Sequence, residues 1–257
     1  MNVINDPKVL EKYSVVVVTC CNRTKHLNLL IKSVLSQDLP ADEIIVVSDG
    51  KLGEGVIHNS IIKYIERPLI KYPAPHRNYG LSKVKNDLVF ISDDDDLWHP
   101  KKARLQIIVQ NNNNAGLVFT KKKDFTDLIG FDRIDDNVTF RSVSKNTLQV
   151  RNRLPLSSVL FNKSIVTNYF NEDLMFRAWE DWVCWIDNSM NNVKILQIEA
   201  NLLGYRISAN SIRSNRYLVD VNQLKWLYNR KASSIFIKVI AIISAIARIV
   251  RTKIIKL

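Results

Sequence analysis

Three short runs of β-branched residues most constrain how this 257-residue chain can fold. The first is "YSVVVVT" at Tyr13–Thr19, a continuous apolar run rather than an alternating one, as is typical of a strand buried on both faces. "EIIVVSDG" and "DLVFIS" repeat the pattern, and apolar residues at helical spacing lie between the runs. This alternation predicts parallel strands joined by right-handed helical crossovers, hence an α/β sandwich.

The remaining elements are predicted from periodicity and turn residues. We expect helices in "HLNLLIKSVLSQ", in "RNYGLSKVKN", and in "KKARLQIIVQ" with Pro100 in its first turn. "IIKYIE", "GLVFT" and "LPLSSVLFNK" are interpreted as short strands, and "WEDWVCWIDNSM" as a helix. The asparagine run 111–114 is interpreted as a loop.

Polar residues follow three of the predicted strands, at the point where each strand ends. They are Thr19 to Arg23, then Ser48 with Asp49, and then Asp93 to Asp96. In open parallel sheets, ligands bind beyond the carboxyl ends of the strands. We therefore expect the three groups to meet in one crevice.

The four consecutive aspartates in "ISDDDDLWHP" carry like charges that repel one another, so we expect a cation beside them. Carboxylate oxygens suit Mg²⁺ or Mn²⁺, which proteins usually bind with one or two carboxylates and the phosphates of a substrate. The alternative is an ordinary helix N-terminus, in which Asp96 caps the helix and its neighbours favour the helix dipole. Four aspartates at the same edge of the sheet as two other polar strand ends favour a metal and diphosphate site over an ordinary helix N-terminus.

Two longer stretches resemble family 2 glycosyltransferases. They are "SVVVVTCCNRTKHLNLLIKSVLSQDLPADEIIVVSDG" and "RNYGLSKVKNDLVFISDDDDLWHPKKARL". The resemblance covers roughly residues 13–110 and implies a GT-A fold, a Rossmann-like sandwich with a mixed central sheet. It further implies a nucleotide-sugar-binding half at 1–110 and an acceptor-binding half of the same domain at 111–230.

The resemblance implies the donor site residue by residue. Thr19, Arg23 and Arg77 would line the nucleotide pocket, and Asp49 would hydrogen-bond the base. The aspartate run is similar to the family's Asp-x-Asp motif. Alignment on Leu97, Trp98 and Pro100 makes Asp93 and Asp95 the metal ligands and leaves Asp94 to reach the ribose, whereas a shift by one would pass the metal to Asp94 or Asp96.

The resemblance also implies the residues on the acceptor side. "WEDWVCW" is similar to the family's Glu-Asp pair at the start of a helix, so Asp181 would be the general base and Glu180 would support it or orient the acceptor. The alternative is an ordinary first helical turn with the tryptophans in the core. "YRISANSIR" is similar to the segment after the base, where Arg206 or Arg213 would neutralise the leaving diphosphate.

The C-terminal segment concentrates the positive charge. From Asn201 onwards there are eleven basic residues and one acidic residue, Asp220, which account for +10 of the net charge of +12. Within 231–257, apolar residues recur at helical spacing, yet the longest uncharged stretch is only nine residues, whereas a membrane span needs about 20. We expect a basic amphipathic helix on an anionic membrane surface, the alternative being a helix that dimerises or packs on the domain.

The resemblance, together with the C-terminal helix, implies a metal-dependent, inverting glycosyltransferase in surface polysaccharide biosynthesis. Its partners would be a UDP-sugar and a saccharide acceptor, lipid-linked because of the interfacial helix, and it would lie peripherally on the cytoplasmic face of the membrane. Three cysteines and no secretory signal pattern fit that compartment. The alternatives are a metal-dependent nucleotidyl or phosphoryl transferase and a nucleic-acid-binding protein. The tail's aliphatic stripe argues against nucleic acid.

Overall fold

The first half of the chain forms parallel strands with helical crossovers, as predicted. A computed structural model describes residues 11–20, 22–127, 130–207, 216–229 and 234–254. The elements of this half are β1 Tyr13–Cys20, α1 Thr24–Leu35, β2 Glu43–Asp49, β3 Ile62–Arg67, α2 Pro73–Lys83 and β4 Leu88–Asp93. Strand β1 pairs in parallel with β2 and β4, and β2 pairs in parallel with β3.

The second half completes the same sheet with antiparallel and parallel pairs. Its elements are β5 Leu97–Trp98, α3 Lys102–Asn113, β6 Leu117–Phe125, β7 Phe140–Ser142, α4 Lys145–Val150, β8 Leu160–Asn162, α5 Glu180–Met190, β9 Ile195–Arg206, α6 Arg216–Asn229 and α7 Ile235–Ile254. Short 3₁₀ turns lie at Leu156–Ser158 and Leu174–Phe176. In the part of the chain described, the strand order is β3-β2-β1-β4-β8-β6-β9-β5, with β7 paired to β9. The sheet is mixed because β8 runs antiparallel to both β4 and β6.

The continuous valine run explains why the sheet has a core on each face. Successive side chains of a strand point to opposite faces. Val16 accordingly joins one hydrophobic cluster, while Val15 and Val17 join the other. The first cluster continues into Trp179, Trp182 and Trp185, so these tryptophans are core residues, as predicted for most of them.

Helix α2 approaches β1 more closely than a side chain at Gly80 would permit. A Cβ atom built on Gly80 would lie 2.4 Å from Cγ1 of Val16. Real Cβ atoms essentially never come so close. The glycine therefore sets how near α2 lies to the sheet.

Three local predictions were wrong. Helix α3 begins at Lys102 after an N-cap at Lys101, so Pro100 precedes the helix and Asp96 does not cap it. Most of the asparagine run continues α3, which ends where Asn114 adopts a left-handed conformation with φ 48°. "LPLSSVLFNK" contains a 3₁₀ turn before its strand of three residues.

Helix α7 packs on the domain through its small residues and leaves its apolar stripe outside. Ala241 and Ala245 are buried in the cluster that holds the tryptophans. The exposed residues of the helix include Ile235, Phe236, Val239, Ile243, Ile246 and Val250. None of the helices in the described residues is long and apolar enough to cross a membrane. Residues 231–233 and 255–257 of the predicted tail lie outside the described residues.

Candidate active site

The three polar strand ends meet beyond the carboxyl edge of the parallel strands, as predicted. In the sheet register Cys20 is opposite Asp49, and Val18 is opposite Asp93. The Thr19 hydroxyl donates a 2.5 Å hydrogen bond to Oδ2 of Asp94, which joins the end of β1 to the aspartate run.

The four aspartates alternate between outward and buried positions. The side chain of Asp93 is 41% exposed and that of Asp95 is 21% exposed. Asp94 and Asp96 are buried. Asp93 ends β4, and Asp94 and Asp95 form the turn that leads to β5, in which Asp94 points into the protein and Asp95 stays more exposed.

Arg23 is one of the cations that the aspartate run requires. Its Nη2 donates a 2.5 Å hydrogen bond to Oδ2 of Asp95 and lies 3.1 Å from Oδ1 of Asp94. Burial raises the pKa of the Asp94 carboxyl to about 7, although Arg23 and the Thr19 hydroxyl act in the opposite direction. Asp94 is thus buried next to the more exposed Asp95, and its carboxylate is paired with Thr19 and Arg23.

Arg77 is the second cation, and it joins the two halves of the site. Its Nη2 donates a 2.8 Å hydrogen bond to Oδ1 of Asp93, and its Nη1 donates one of 2.5 Å to Oε1 of Glu180. Burial lowers the pKa of the guanidinium, but the Asp93 and Glu180 carboxylates outweigh burial and raise it above its ordinary value. The arginine therefore stays charged between the aspartate run and the start of α5.

The Asp49 carboxylate holds the loop that leads into α2. Its Oδ1 accepts a 2.6 Å hydrogen bond from the Ile70 amide, and its Oδ2 accepts one of 2.7 Å from the Lys71 amide. Nε2 of the buried His76 lies 3.0 Å from Oδ1. Lys71 has φ 54°, which turns the two amides towards one carboxylate. These contacts give Asp49 a structural task, and its predicted contact with the base stays a prediction.

Asp181 lies half-buried at the first turn of α5. Its Oδ1 accepts a 2.7 Å hydrogen bond from the Trp182 amide, and its Oδ2 accepts one of 3.2 Å from Nδ2 of Asn152. Asn152 also accepts a hydrogen bond from the Leu154 amide, which fixes its orientation. The neighbouring Glu180 is buried, and its Oε2 has no hydrogen-bond partner in the described structure.

Arg206 borders the aspartate run from the end of β9. Its Nε donates to the Asp95 carbonyl at 3.1 Å, its Nη1 donates to the Thr126 carbonyl at 2.7 Å, and its guanidinium lies 4.4 Å from the Phe125 ring centre. Its backbone amide donates to Oδ1 of Asp96 at 3.0 Å. The other predicted arginine, Arg213, lies outside the described residues.

A buried lysine lies beneath the aspartate run. Nζ of Lys102 is 4.0 Å from the Trp98 ring centre and 4.4 Å from that of Phe90. Burial lowers its pKa well below the usual range, although Asp96 acts in the opposite direction. Burial and the charge of Asp95 raise the pKa of Asp96 well above its usual range. Sequence reasoning gave no role to Lys102, although it lies in the stretch that carries the family resemblance, and missed Asn152, whose contact with Asp181 spans 29 residues.

Two non-glycine residues adopt left-handed conformations beside the site. Asn22 has φ 72° and precedes Arg23, while Ala178 has φ 74° and lies two residues before Glu180. Such conformations are costly for alanine and cluster at functional sites.

The donor set suits a hard divalent cation that a substrate helps to bind. The described residues contain no group of three or more His, Cys, Asp or Glu side chains that could hold a metal ion. Mg²⁺ commonly takes one or two carboxylates and fills its remaining positions with phosphate oxygens and water. Asp93 and Asp95 fit that role, because they are the two more exposed carboxylates of the run.

The chain is similar in sequence to glycosyltransferases. The glycosyl transferase family 2 model matches residues 15–170, and the chain belongs to that family. An uncharacterized glycosyltransferase of Haemophilus influenzae is 25% identical over 173 residues, which are 65% of this chain and 58% of that protein. One from Rickettsia conorii is 30% identical over 119 residues, 44% of this chain. The chain spans 58% and 18% of the lengths of these two relatives.

Solved structures show the same GT-A fold, as predicted. The S. aureus TarS 1–349 structure in complex with UDP-GlcNAc has a TM-score of 0.65 at 16% identity, covering 90% of this chain and 70% of that one. A mannosyltransferase from Pyrobaculum calidifontis in complex with GDP-Man and Mn²⁺ has a TM-score of 0.67 at 15% identity, covering 94% and 75%.

Proposed function

We propose that this family 2 glycosyltransferase moves a sugar from a nucleoside diphosphate donor, a UDP-sugar, to a saccharide acceptor with inversion. The alternation within the aspartate run is the observation that carries the proposal. Asp93 and Asp95 face outward, while Asp94 and Asp96 are buried. This favours Asp93 and Asp95 as the ends of the Asp-x-Asp motif over the register shifted by one.

The donor site is proposed at the ends of β1, β2 and β4. Asp93 and Asp95 would hold Mg²⁺ or Mn²⁺, which neutralises the charge that develops on a leaving diphosphate. The complexes of the structural neighbours with UDP-GlcNAc and with GDP-Man and Mn²⁺ support a nucleotide-sugar donor and a divalent cation. Thr19, Arg23, Asp49, Arg77, Asp94 and Arg206 are the proposed residues around the nucleotide.

Asp181 is proposed as the general base. The acceptor hydroxyl attacks the anomeric carbon, its proton passes to the Asp181 carboxylate, and the bond from that carbon to the diphosphate breaks. Its hydrogen bond from Asn152 fixes the carboxylate, and Glu180 is tied to Arg77. Contacts of these two carboxylates with both halves of the chain support the proposed roles.

A lipid-linked acceptor and a peripheral position on an anionic membrane surface complete the proposal. The outward stripe of α7 supports this reading. Phe236 is 73% exposed, and six other exposed large apolar residues accompany it along the helix. The proposed role is assembly of a surface polysaccharide, and this step rests on the helix and on analogy with the family.

Binding of UDP-sugars with and without Mn²⁺ tests the donor site. Wild-type protein is expected to gain thermal stability from the correct UDP-sugar only with the metal present. Asp93→Asn and Asp95→Asn should each abolish the metal-dependent part of this thermal stabilisation. Asp132→Asn is the matched control, because it removes the same charge from an exposed carboxylate paired with Lys123.

The nature of the product separates sugar transfer from its rival. A glycosyltransferase breaks the bond from the sugar to the diphosphate and releases UDP, whereas a nucleotidyl transferase would break the bond between the two phosphates, move UMP and release sugar 1-phosphate. The anomeric configuration of the product, read by NMR, decides between inversion and retention. Release of sugar 1-phosphate, or a retained configuration, would contradict the proposal.

A further inference from the structure

A cavity of about 410 Å³ lies between α4 and α7, outside the aspartate site. Seven residues line it: Asn146, Thr147, Val150, Arg151, Arg153, Ile237 and Ser244. The lining that the structure describes carries two guanidinium groups and no carboxylate. The cavity is therefore positively charged and has room for a group larger than a water molecule.

The polar lining is suited to an anion. Arg151 and Arg153 are exposed, and within the described ranges neither has an ion-pair partner. Nη1 of Arg248 lies 3.1 Å from the Ser244 hydroxyl oxygen and donates to it. The Ser244 proton is thus available to a ligand, because a hydroxyl oxygen that accepts can still donate. Guanidinium groups bind phosphate oxygens through paired, charge-assisted hydrogen bonds.

The cavity is linked to the proposed base by one residue. Asn152 lies between Arg151 and Arg153 in the chain, and its side chain donates to the Asp181 carboxylate. A ligand held by the two arginines would therefore contact the same chain segment that contacts Asp181. An apolar chain on that ligand would meet Val150, Ile237 and the outward stripe of α7 beyond them.

We propose that this cavity binds a phosphate group attached to an apolar chain, and that this phosphate belongs to the sugar acceptor. The inference rests on the proposed function, because it takes Asp181 as the base. It adds an anionic subsite, formed by Arg151, Arg153 and Ser244, to the acceptor side. An anionic phospholipid headgroup has the same chemistry, and the experiment separates the two sources.

Calorimetric binding of decyl phosphate to the full chain tests the subsite, with uncharged decyl maltoside as the reference amphiphile. The double variant Arg151→Gln/Arg153→Gln should weaken decyl phosphate binding about tenfold or more, because it removes two charge-assisted contacts. Binding of decyl maltoside should not change. The control Lys63→Gln/Arg133→Gln removes the same charge from exposed positions on other elements and should leave both affinities unchanged.

Two parallel measurements make each outcome decisive. UDP binding with Mn²⁺ should be equal in the wild type and both double variants; if it is absent from all three, the proposed function fails and not this subsite. If both double variants weaken decyl phosphate binding equally, or if neither weakens it, the proposed subsite is wrong. Selective loss of binding to phosphatidylglycerol vesicles in the Arg151/Arg153 variant would assign the cavity to a membrane headgroup and overturn its place in the acceptor site.

Discussion

Arg77 and Glu180 lie 103 residues apart and are joined by a buried hydrogen bond of 2.5 Å from Nη1 to Oε1. The same guanidinium donates to Asp93. One side chain therefore fixes the end of β4 relative to the start of α5. It thereby sets the distance between the proposed metal ligand Asp93 and the proposed base Asp181. The two halves of the candidate site depend on each other through this arginine.

Replacing Arg77 by lysine should disrupt both halves at once. An ammonium group keeps the charge but cannot reproduce the planar fork that reaches two carboxylates, and Glu180 is buried. We expect the free energy of unfolding to fall by about 1–3 kcal/mol and sugar transfer to fall at least about tenfold. Urea unfolding and a transfer assay measure the two effects.

Arg104→Lys is the matched control for this change. Arg104 also bridges two carboxylates, those of Asp38 and Asp136, but its side chain is more exposed than that of Arg77 and neither of its partners is as buried as Glu180. Its replacement should cost at most about 1 kcal/mol. Equal losses in the two variants would show that Arg77 has no special place in the site.

Asp181→Asn should separate donor binding from chemistry. The amide keeps the size of the side chain but cannot take the acceptor proton, so we expect transfer to fall by about 10²–10⁴-fold. Metal-dependent UDP binding should be unchanged. Asp187→Asn on the same helix is the control and should retain activity. Full activity of the Asp181 variant would assign the base to another residue.

Lys102→Met should stabilise the protein. Nζ of Lys102 is buried and has no hydrogen-bond partner in the described structure, while methionine has a similar shape and no charge to desolvate. We expect the free energy of unfolding to rise by about 1 kcal/mol, read as a higher urea midpoint. Lys102→Ala should have the opposite sign, because it leaves a cavity. A lower midpoint for the methionine variant would indicate that the ammonium is needed beside Asp96.

The outward stripe of α7 should carry membrane binding. The variant Phe236→Ser/Ile243→Ser is expected to reduce sedimentation with phosphatidylglycerol vesicles, since it removes apolar area that would enter the interface. Leu174→Ser/Met175→Ser is the control, because it removes exposed apolar side chains from a 3₁₀ turn elsewhere. Unchanged vesicle binding, or preferential binding of duplex DNA at the same salt concentration, would contradict the membrane reading.

The parallel half of the fold was predictable because its signals are local. A continuous valine run indicates a strand buried on both faces without knowledge of its neighbours, and Thr19 and Asp93 follow from where such strands end. The predicted roles of Asp181 and Arg206, in contrast, came from the family resemblance. Neither helical spacing nor composition indicates a base.

The remainder depends on partners distant in sequence. Strand β9 was not predicted, and its pairing with β6 is interrupted by register shifts around Lys121, which break a regular alternation. Asp96 resembled a helix cap because its position before Pro100 suited one, yet its partner is the Arg206 amide 110 residues away. Asp49 likewise accepts from the loop at Ile70, an arrangement made by the left-handed backbone of Lys71.

Gly80 shows that the candidate site also depends on how closely the α2 backbone approaches the sheet. It lies one helical turn after Arg77 on α2, at the point where a methyl group would collide with Val16. The absence of that one carbon sets the clearance between helix and sheet, and so the reach of the guanidinium that ties β4 to α5. The spacing between the proposed metal ligand Asp93 and the proposed base Asp181 thus depends on a residue that contacts neither of them.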